Sequence, residues 1–422
     1  MKIEEAIAYV NHYSWNKTRP GLSRTKELLE KMDNPQKKVK FVHVAGSNGK
    51  GSTCAMLESI LRTAGYKTGF YLSPYIEDFK ETFQICGKMI GDDEFCRITE
   101  KVKDIAENMA DHPSQFEIKT AIAFQYFADN ACDMVVLETG MGGEFDSTNV
   151  IDAPVVAVIT NIGLEHTEFL GDTLEKIAAT KAGIIKAGCS MVSYENKPQV
   201  IEVLKRRANE EGCPFYIAEK KDVELLEHDL NGQRFRRNDD IYKIPLLGGH
   251  QLMNASVVLK TVDVLRDKGY RISDTDIAKG LEAVKWPARF EVLSKDPLFI
   301  IDGGHNLQCA EALSGLIKQY FNNRKFTFIT GILADKDYED MLKAVADNAD
   351  EFLCVTPDSP RALKAVELRK TAESLGYRAR EFTDTEKAVT AGIEAGLGVI
   401  AFGSLYMAGD IRRICRRKFG IE

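Results

Sequence analysis

The chain lacks the marks of a secreted, zinc-clustered or membrane-spanning protein. Nine cysteines among 422 residues are an odd number, and none lies in a C-x-x-C spacing. That speaks against a disulfide framework or a cysteine zinc site and fits reduced thiols in a cytoplasmic protein. The longest charge-free apolar stretch, 153–164, is too short to span a bilayer. The opening residues, MKIEEAIAYV, carry two early glutamates and no apolar core of a signal peptide. Positive charge is not in excess either: 56 Lys and Arg stand against 63 Asp and Glu, a formal net charge of −7. Nucleic acid and membrane are therefore not expected as partners. Composition is otherwise ordinary, and the length suits two or three domains.

What is present is organised around residues 41–52, FVHVAGSNGKGS. Phe41 to Ala45 is apolar and partly β-branched, and predicts a buried strand. Gly46-Ser47-Asn48-Gly49-Lys50-Gly51-Ser52 follows without a break. A helix is expected from Thr53, with Leu57, Ile60, Leu61 and Ala64 on one face and Gly65 at its C-terminus. Strand, glycine loop and helix N-terminus make a cradle for phosphates, because amides approach the oxygens and the helix dipole favours an anion. Lys50 would reach the terminal phosphates, and Ser52 would ligate Mg²⁺. The spacing departs from G-x-x-x-x-G-K-[ST], so a glycine-rich turn with a solvated lysine is the alternative.

Taken in order, residues 3–13 and 23–32 predict helices, with a loop at 16–22 between them. A second strand over 68–72 completes a βαβ unit and implies a parallel sheet. Residues 73–88 have no clear period and read as a long loop or ribbon. Residues 116–132 are apolar nearly all round and predict a buried helix. Met134 to Leu137 is a strand with Glu138 at its C-terminal end, followed by a second glycine loop, Gly140-Met141-Gly142-Gly143. Residues 155–160 form another strand, followed by Glu165 and His166. Ligands bind at the C-terminal edge of such a sheet, which collects Lys50, Ser52, Glu138 and His166. A hydroxyl, a carboxylate and an imidazole form a conceivable Mg²⁺ set, though imidazole is soft for this ion and a structural histidine is the competing reading. Lys181 and Lys186, in a helix within 174–188, read as a solvated face.

Residues 190–245 alternate short strands and helices, with a charged ribbon at 227–243. Helices are expected over 254–266 and 277–284, and Trp286 to Phe290 reads as a hinge. From Leu298 an α/β alternation restarts: strands at 298–302, 325–330, 351–356, 378–382 and 398–402, with helices between and after them. This second unit of roughly 130 residues presents Asp302, His305, Gly331 and Ser404 at strand ends. His305 is a site candidate beside the alternative of a plain loop histidine.

These motifs resemble the folylpolyglutamate synthase and dihydrofolate synthase family of the Mur ligase superfamily. The resemblance runs from about Gly21 to Ile411. It rests on HVAGSNGKGST (43–53), LSPYIEDFKETF (72–83), FEIKTAIAF (116–124), LETGMGGEFDSTNV (137–150), ITNIGLEHTEFLGDT (159–173) and KAGIIK (181–186). It continues through GGHQLMNA (248–255), WPARFEVL (286–293), IDGGHN (301–306), DKD (335–337), SPRA (359–362) and FGSLY (402–406). The resemblance implies an α/β fold: an N-terminal P-loop-type ATPase domain with a parallel sheet over 1–287, and a smaller Rossmann-like domain over 288–422. It implies ATP contacts from Asn48, Gly49, Lys50, Gly51, Ser52, Asn254, Arg289 and Asp302. Magnesium would be held by Ser52, Glu138 and His166. Lys181 matches a lysine that can be carbamylated, and Lys50, Lys181 and His305 are the implied catalytic residues. Ser73, in the loop beside the pterin, and Ser404, near the glutamate and the interdomain cleft, are the implied substrate contacts. The chain departs from the family pattern at Tyr75, Thr82 and Glu144.

The implied activity is ATP-dependent addition of L-glutamate to reduced folates, and also to dihydropteroate, through an acyl phosphate. A monomer in the cytoplasm is expected. The alternatives are an amino-acid ligase of cell-wall precursors and a non-catalytic nucleotide switch. Only about 40 residues precede the phosphate-loop strand, too few for the extra nucleotide-sugar domain usual in the cell-wall enzymes.

Overall fold

The structure is a computed structural model that describes residues 1–12, 21–322 and 324–420. The first helix is Ile3–His12; Tyr13 and loop positions 16–20 lie outside the described residues. Eight strands form the first sheet: β1 (Phe41–Ala45), β2 (Thr68–Tyr71), β3 (Phe83–Ile85), β4 (Lys88–Met89), β5 (Met134–Glu138), β6 (Val156–Ile159), β7 (Ser190–Tyr194) and β8 (Phe215–Ala218). Their order is β4-β3-β2-β5-β1-β6-β7-β8. The pairs from β2 to β8 are parallel, while β3 and β4 add an antiparallel edge.

Every residue of β1 is buried, because helices cover both faces of the sheet. Val42 and Val44 face the helices Lys50–Thr63 and Gly249–Asp267. Phe41, one residue out of phase, faces Ser23–Lys31, Asp92–Ala106 and Gln115–Asp129 on the other side. The chain leaves β1 toward β2 on one side and later reaches β6 on the other. The crevice at the end of β1 is thus flanked by the ends of β5 and β6, where such sheets bind ligands.

A small antiparallel sheet follows, β9 (Glu224–Asp229), β10 (Gly232–Arg237) and β11 (Asp240–Ile244). The last sheet contains β12 (Glu291–Lys295), β13 (Leu298–Asp302), β14 (Phe326–Thr330), β15 (Ala349–Cys354), β16 (Ala379–Glu381) and β17 (Val399–Phe402), in the order β12-β13-β17-β14-β15-β16. All its pairs are parallel except β12 with β13. Strand β12 lies between the expected hinge at 286–290 and the strand expected at 298–302, where the sequence predicts no element. The first and last parallel strands are neighbours, with Asp302 opposite Phe402, so the turns at Gly303 and Gly403 meet.

Two helix starts differ from the sequence reading. The phosphate-loop helix begins at Lys50, not Thr53, and the later helix begins at Gly249, not Asn254. In both cases glycines are drawn into the first turn, where propensity predicts a loop but the surrounding packing holds a helix. Among the described residues no helix is long and apolar enough to cross a membrane.

Candidate active site

The phosphate loop is held open by close packing. Gly49 adopts φ +87°, and a Cβ there would lie 2.4 Å from Asn254 Oδ1. A Cβ on Gly51 would lie 2.4 Å from the Trp286 ring. Neither position admits a side chain without displacing a neighbour. The loop is tied to the strand beside it: Ser47 N donates to Asn161 O at 2.7 Å, Ser47 Oγ to Gly163 O at 2.9 Å, and Thr160 Oγ1 to Asn48 O at 2.8 Å. Because the helix starts at Lys50, its first-turn amides and dipole face the loop. Lys50 Nζ folds over the same loop, donating to Gly46 O at 2.8 Å and Ser47 O at 3.4 Å. Ser52 Oγ accepts from Gln251 Nε2 at 3.2 Å, and Gln251 Oε1 accepts from Asn254 Nδ2 at 3.0 Å. Gln251 stands in a stretch quoted for the resemblance, yet the sequence reading assigned it no role.

Lys181 corrects the reading of a solvated lysine face. It is 1% exposed, and its Nζ donates to Gly46 O at 2.9 Å and pairs with Glu165 at 2.7 Å. It falls on the helix face of Ile177 and Ala178, which is buried. Burial pulls its pKa down to about 8 against the pull of Glu165. Burial pushes the Glu165 carboxyl up, but Lys181, Lys50 and His166 outweigh it and hold it near 2, so the pair is ionised at neutral pH. Lys186 is not solvated either. It donates to Asn149 O and Ile151 O at 2.8 and 2.5 Å, tying down the chain that follows the second glycine loop.

Glu138 ends β5 and is buried, with a pKa pushed up to about 7 by desolvation, against Lys50, Arg289 and a hydrogen bond from the Ser73 amide. His166 has φ +44° and starts a one-turn helix, Thr167–Leu170. Burial, opposed by Glu165 and reinforced by Lys336, Lys50 and Lys181, lowers its pKa to about 4, so the imidazole is neutral. Among the described residues no cluster of three or more His, Cys, Asp or Glu is gathered for a metal. The Ser52 hydroxyl, a buried carboxylate that has no close ion-pair partner among the described residues, and a neutral imidazole nonetheless fit magnesium, which takes few protein ligands and completes its shell with water and phosphate.

The second α/β unit reaches this loop through Asn48. Its Nδ2 donates to Gln308 Oε1 at 2.7 Å, and its Oδ1 accepts from Asn306 Nδ2 at 3.1 Å and Cys309 Sγ at 3.3 Å. None of these three partners was singled out in the sequence. The nearest signal was Asn306 just ahead of a helical pattern, and it does cap the helix Leu307–Phe321. Arg289 Nη1 donates to Ala288 O at 3.0 Å and acts electrostatically on Glu138. Asp302 is occupied locally: its carboxylate accepts from Phe290 N at 2.9 Å and Gly304 N at 2.7 Å. His305 lies beside Gly303, and burial with Lys336 and Arg289 lowers its pKa to about 4. Ser404 is 1% exposed and caps the last helix, Leu405–Phe419, by accepting from Tyr406 N.

The stretch after β2 folds onto the second unit. Glu77 pairs with Arg412 and, at 3.0 Å, with Arg416, while Arg412 also pairs with Glu291 at 2.8 Å. Ile76 packs among core residues of the second unit, and its carbonyl leaves Gly409 no room for a Cβ. Glu81 accepts from the amides of Ile76, Glu77 and Asp78, which shapes the turn.

A phosphate loop on one α/β unit is joined through Asn48 to a second α/β unit, and this pairing is that of the ATP-dependent ligases of the Mur type. Residues 44–262 match the Mur ligase middle domain and residues 288–405 the Mur ligase glutamate ligase domain. The chain belongs to the folylpolyglutamate synthase and dihydrofolate synthase family. It is 36% identical over 428 residues to the dihydrofolate synthase/folylpolyglutamate synthase of Bacillus subtilis, covering 96% of this chain and 99% of that protein. The folylpolyglutamate synthase structure from Thermotoga maritima superposes with a TM-score of 0.86 at 31% identity, covering 99% and 97% of the two chains. That from Mycobacterium tuberculosis, solved with ADP and AMPPCP, gives 0.89 at 28% identity, covering 100% and 99%. The protein is thus an ATP-dependent ligase of folate metabolism.

Proposed function

We propose that the protein adds L-glutamate to reduced folates, and to dihydropteroate, by activating the acceptor carboxylate as an acyl phosphate. The observation that carries this is the convergence of Lys50 and Lys181 on the Gly46 carbonyl, with Glu138 behind and the second unit joined at Asn48. A carboxylate is a poor electrophile, so the γ-phosphoryl group of ATP is transferred to it first. The glutamate amine then attacks the acyl carbon and phosphate leaves. Lys50 and the helix N-terminus stabilise the transferring phosphoryl group, where preorganised charge acts most strongly. Magnesium, held by Ser52, Glu138 and His166, would offset phosphate charge.

In this reading Asn48, Gly49, Gly51, Asn254, Arg289 and Asp302 line the nucleotide. Asn254 and Asp302 act by holding Gly49 and the Gly303–Gly304 turn. Ser73, through its amide on Glu138, positions the acceptor end, and His305 and Ser404 border the glutamate side. Lys181, once it has given up its proton and its pairing with Glu165, adds carbon dioxide through its neutral amine and releases a second proton to water, leaving a carbamate; its lowered pKa aids the first step. The functional division falls at 1–287 and 288–422, and the protein works as a monomer in the cytoplasm. Acyl phosphates hydrolyse in water, so a cleft closed by two units protects the intermediate.

The test incubates the protein with Mg-ATP, labelled glutamate and, separately, tetrahydrofolate, dihydropteroate and a cell-wall precursor. Label on the first two is expected. Label on the precursor alone, or none with ATP bound, overturns the reading; label on tetrahydrofolate alone removes its dihydropteroate half.

A further inference from the structure

The helix Gln115–Asp129 carries a buried cation that nothing among the described residues neutralises. Lys119 is 9% exposed and stands one turn into an otherwise largely apolar helix. No hydrogen bond or ion pair to it forms among the described residues, and its ammonium lies 5.8 Å from the centre of the Phe79 ring. The acids that stand close in the chain to Lys119 and to Phe79 are engaged elsewhere. Glu117 accepts from Arg24, Thr25 and the Ser114 amide, and Glu81 from three backbone amides. Burial alone pulls the Lys119 pKa down to about 8, with no acidic group opposing it. A ring face compensates a buried ammonium only in part, so the site retains an unmet demand for an anion.

Its position says which anion. Phe116, in the same first turn, fills the space beside Gly140, where a Cβ would lie 2.4 Å from the ring. Phe79 belongs to the segment that begins at Ser73, whose amide holds Glu138. Lys119 thus faces a ring of the segment that begins at Ser73 and shares its helix turn with Phe116, which packs on the loop that follows Glu138. In the ligase reading the reacting carboxylate of the acceptor lies by Glu138 and Lys50, and the groups next to it extend toward these two segments. When that acceptor ends in glutamate, its α-carboxylate is only four bonds from the reacting carbon.

We propose that Lys119 receives the α-carboxylate of an acceptor that already ends in glutamate, so that this lysine selects glutamylated folates over acceptors with a single carboxylate. The proposal rests on the ligase reading above and names a specificity residue within it. A charge-assisted hydrogen bond in a desolvated site discriminates by about tenfold to a hundredfold.

The experiment compares kcat/KM for two acceptors in wild type, Lys119→Met and Lys119→Arg. One acceptor is tetrahydrofolate; the other carries γ-aminobutyrate in place of the glutamate, keeping the reacting carboxylate and lacking the α-carboxylate. Wild type should prefer tetrahydrofolate by about tenfold or more, expressed mainly in KM. In Lys119→Met the ratio should fall to within about twofold of one, and Lys119→Arg should retain most of it. A wild type without preference, or a Met variant that keeps the preference, overturns the proposal. A melting curve checks folding. Should Lys119→Met not fold, Lys119→Gln takes its place under the same criterion. Turnover of neither acceptor by wild type defeats the ligase reading itself, and the proposal falls with it.

Discussion

Asn48 and Gln308, 260 residues apart, are joined by a 2.7 Å hydrogen bond that runs from the phosphate loop to the first turn of a helix in the second unit. Asn306 and Cys309 meet the same Asn48 side chain. The loop that would cradle ATP and the unit expected to bring glutamate therefore share one amide group. Asn48→Ala should lower kcat/KM for glutamate by about tenfold to a hundredfold, because misplacing one reactant is costly in a two-substrate step. Binding of a non-hydrolysable ATP analogue, measured by calorimetry, should weaken much less. Equal losses in both would rule out a role for this contact in joining the units.

Lys50 is the loop's own positive charge, poised over Gly46 and Ser47. Lys50→Ala should cost on the order of 10²–10³ in turnover while the melting temperature stays close to wild type. Near-normal ADP release by the folded variant would remove Lys50 from phosphoryl transfer.

Lys181 and Glu165 form an ion pair that is almost sealed from water. Lys181→Met leaves Glu165 buried without its partner and should cost about 3 kcal/mol in urea unfolding, with much of that recovered in Lys181→Met/Glu165→Gln. Turnover should fall in Lys181→Ala and return partly with added short carboxylates, which replace a carbamate. Full activity without Lys181, or a loss that no carboxylate reverses, would end the carbamate assignment.

Glu77 clasps Arg412 and Arg416 from the loop that follows β2. Removing it leaves Arg412, already half-neutralised by Glu291, in a buried position with one acid fewer. Glu77→Gln should release the segment from the last helix, raising KM for the folate acceptor more than for ATP. Proteolysis within residues 73–83 should quicken in parallel. If cleavage and KM both match wild type, the clasp does not hold this segment in place.

Lys119 also makes a prediction about stability and pH. Its pKa is about 8 in the folded chain against an ordinary value of 10.5, through burial alone, with no charged group from the packed elements opposing it. Below about pH 8 both folded and unfolded chains hold the proton, and the cost of burying the charge is present in full. Between 8 and 10.5 the folded chain loses the proton while the unfolded chain keeps it, so stability rises with pH. Going from about pH 7 to about pH 9.5 the wild type should gain about 2 kcal/mol relative to Lys119→Met in urea titrations. Parallel pH profiles for the two proteins would show that Lys119 is not a buried charge.

Much of the architecture was legible in the chain because it is written in contiguous residues. The apolar strand at 41–45, the glycines after it and the 3.6-residue period beyond them specify a phosphate cradle locally. The restart of the α/β alternation at Leu298 marks the second unit in the same way, and the order of a dozen motifs identified the family. Composition by itself argued against disulfide and zinc frameworks.

What the tertiary structure decided depends on which distant residues meet. Lys181 reads as solvated because lysines on a helix usually are; the Gly46 carbonyl just after β1 and the Glu165 carboxylate, 135 and 16 residues away, turn it inward. Asn48 gained its partners only when β13 brought the helix Leu307–Phe321 beside the loop, and Glu77 met Arg412 across 335 residues. The unpaired state of Lys119 is likewise a property of its surroundings. Side-chain period and turn chemistry act over a few residues, so sequence determines elements and motifs. Burial and ion pairing act through space, so the fold decides which charges are neutralised, which are shared between units and which are left to a ligand.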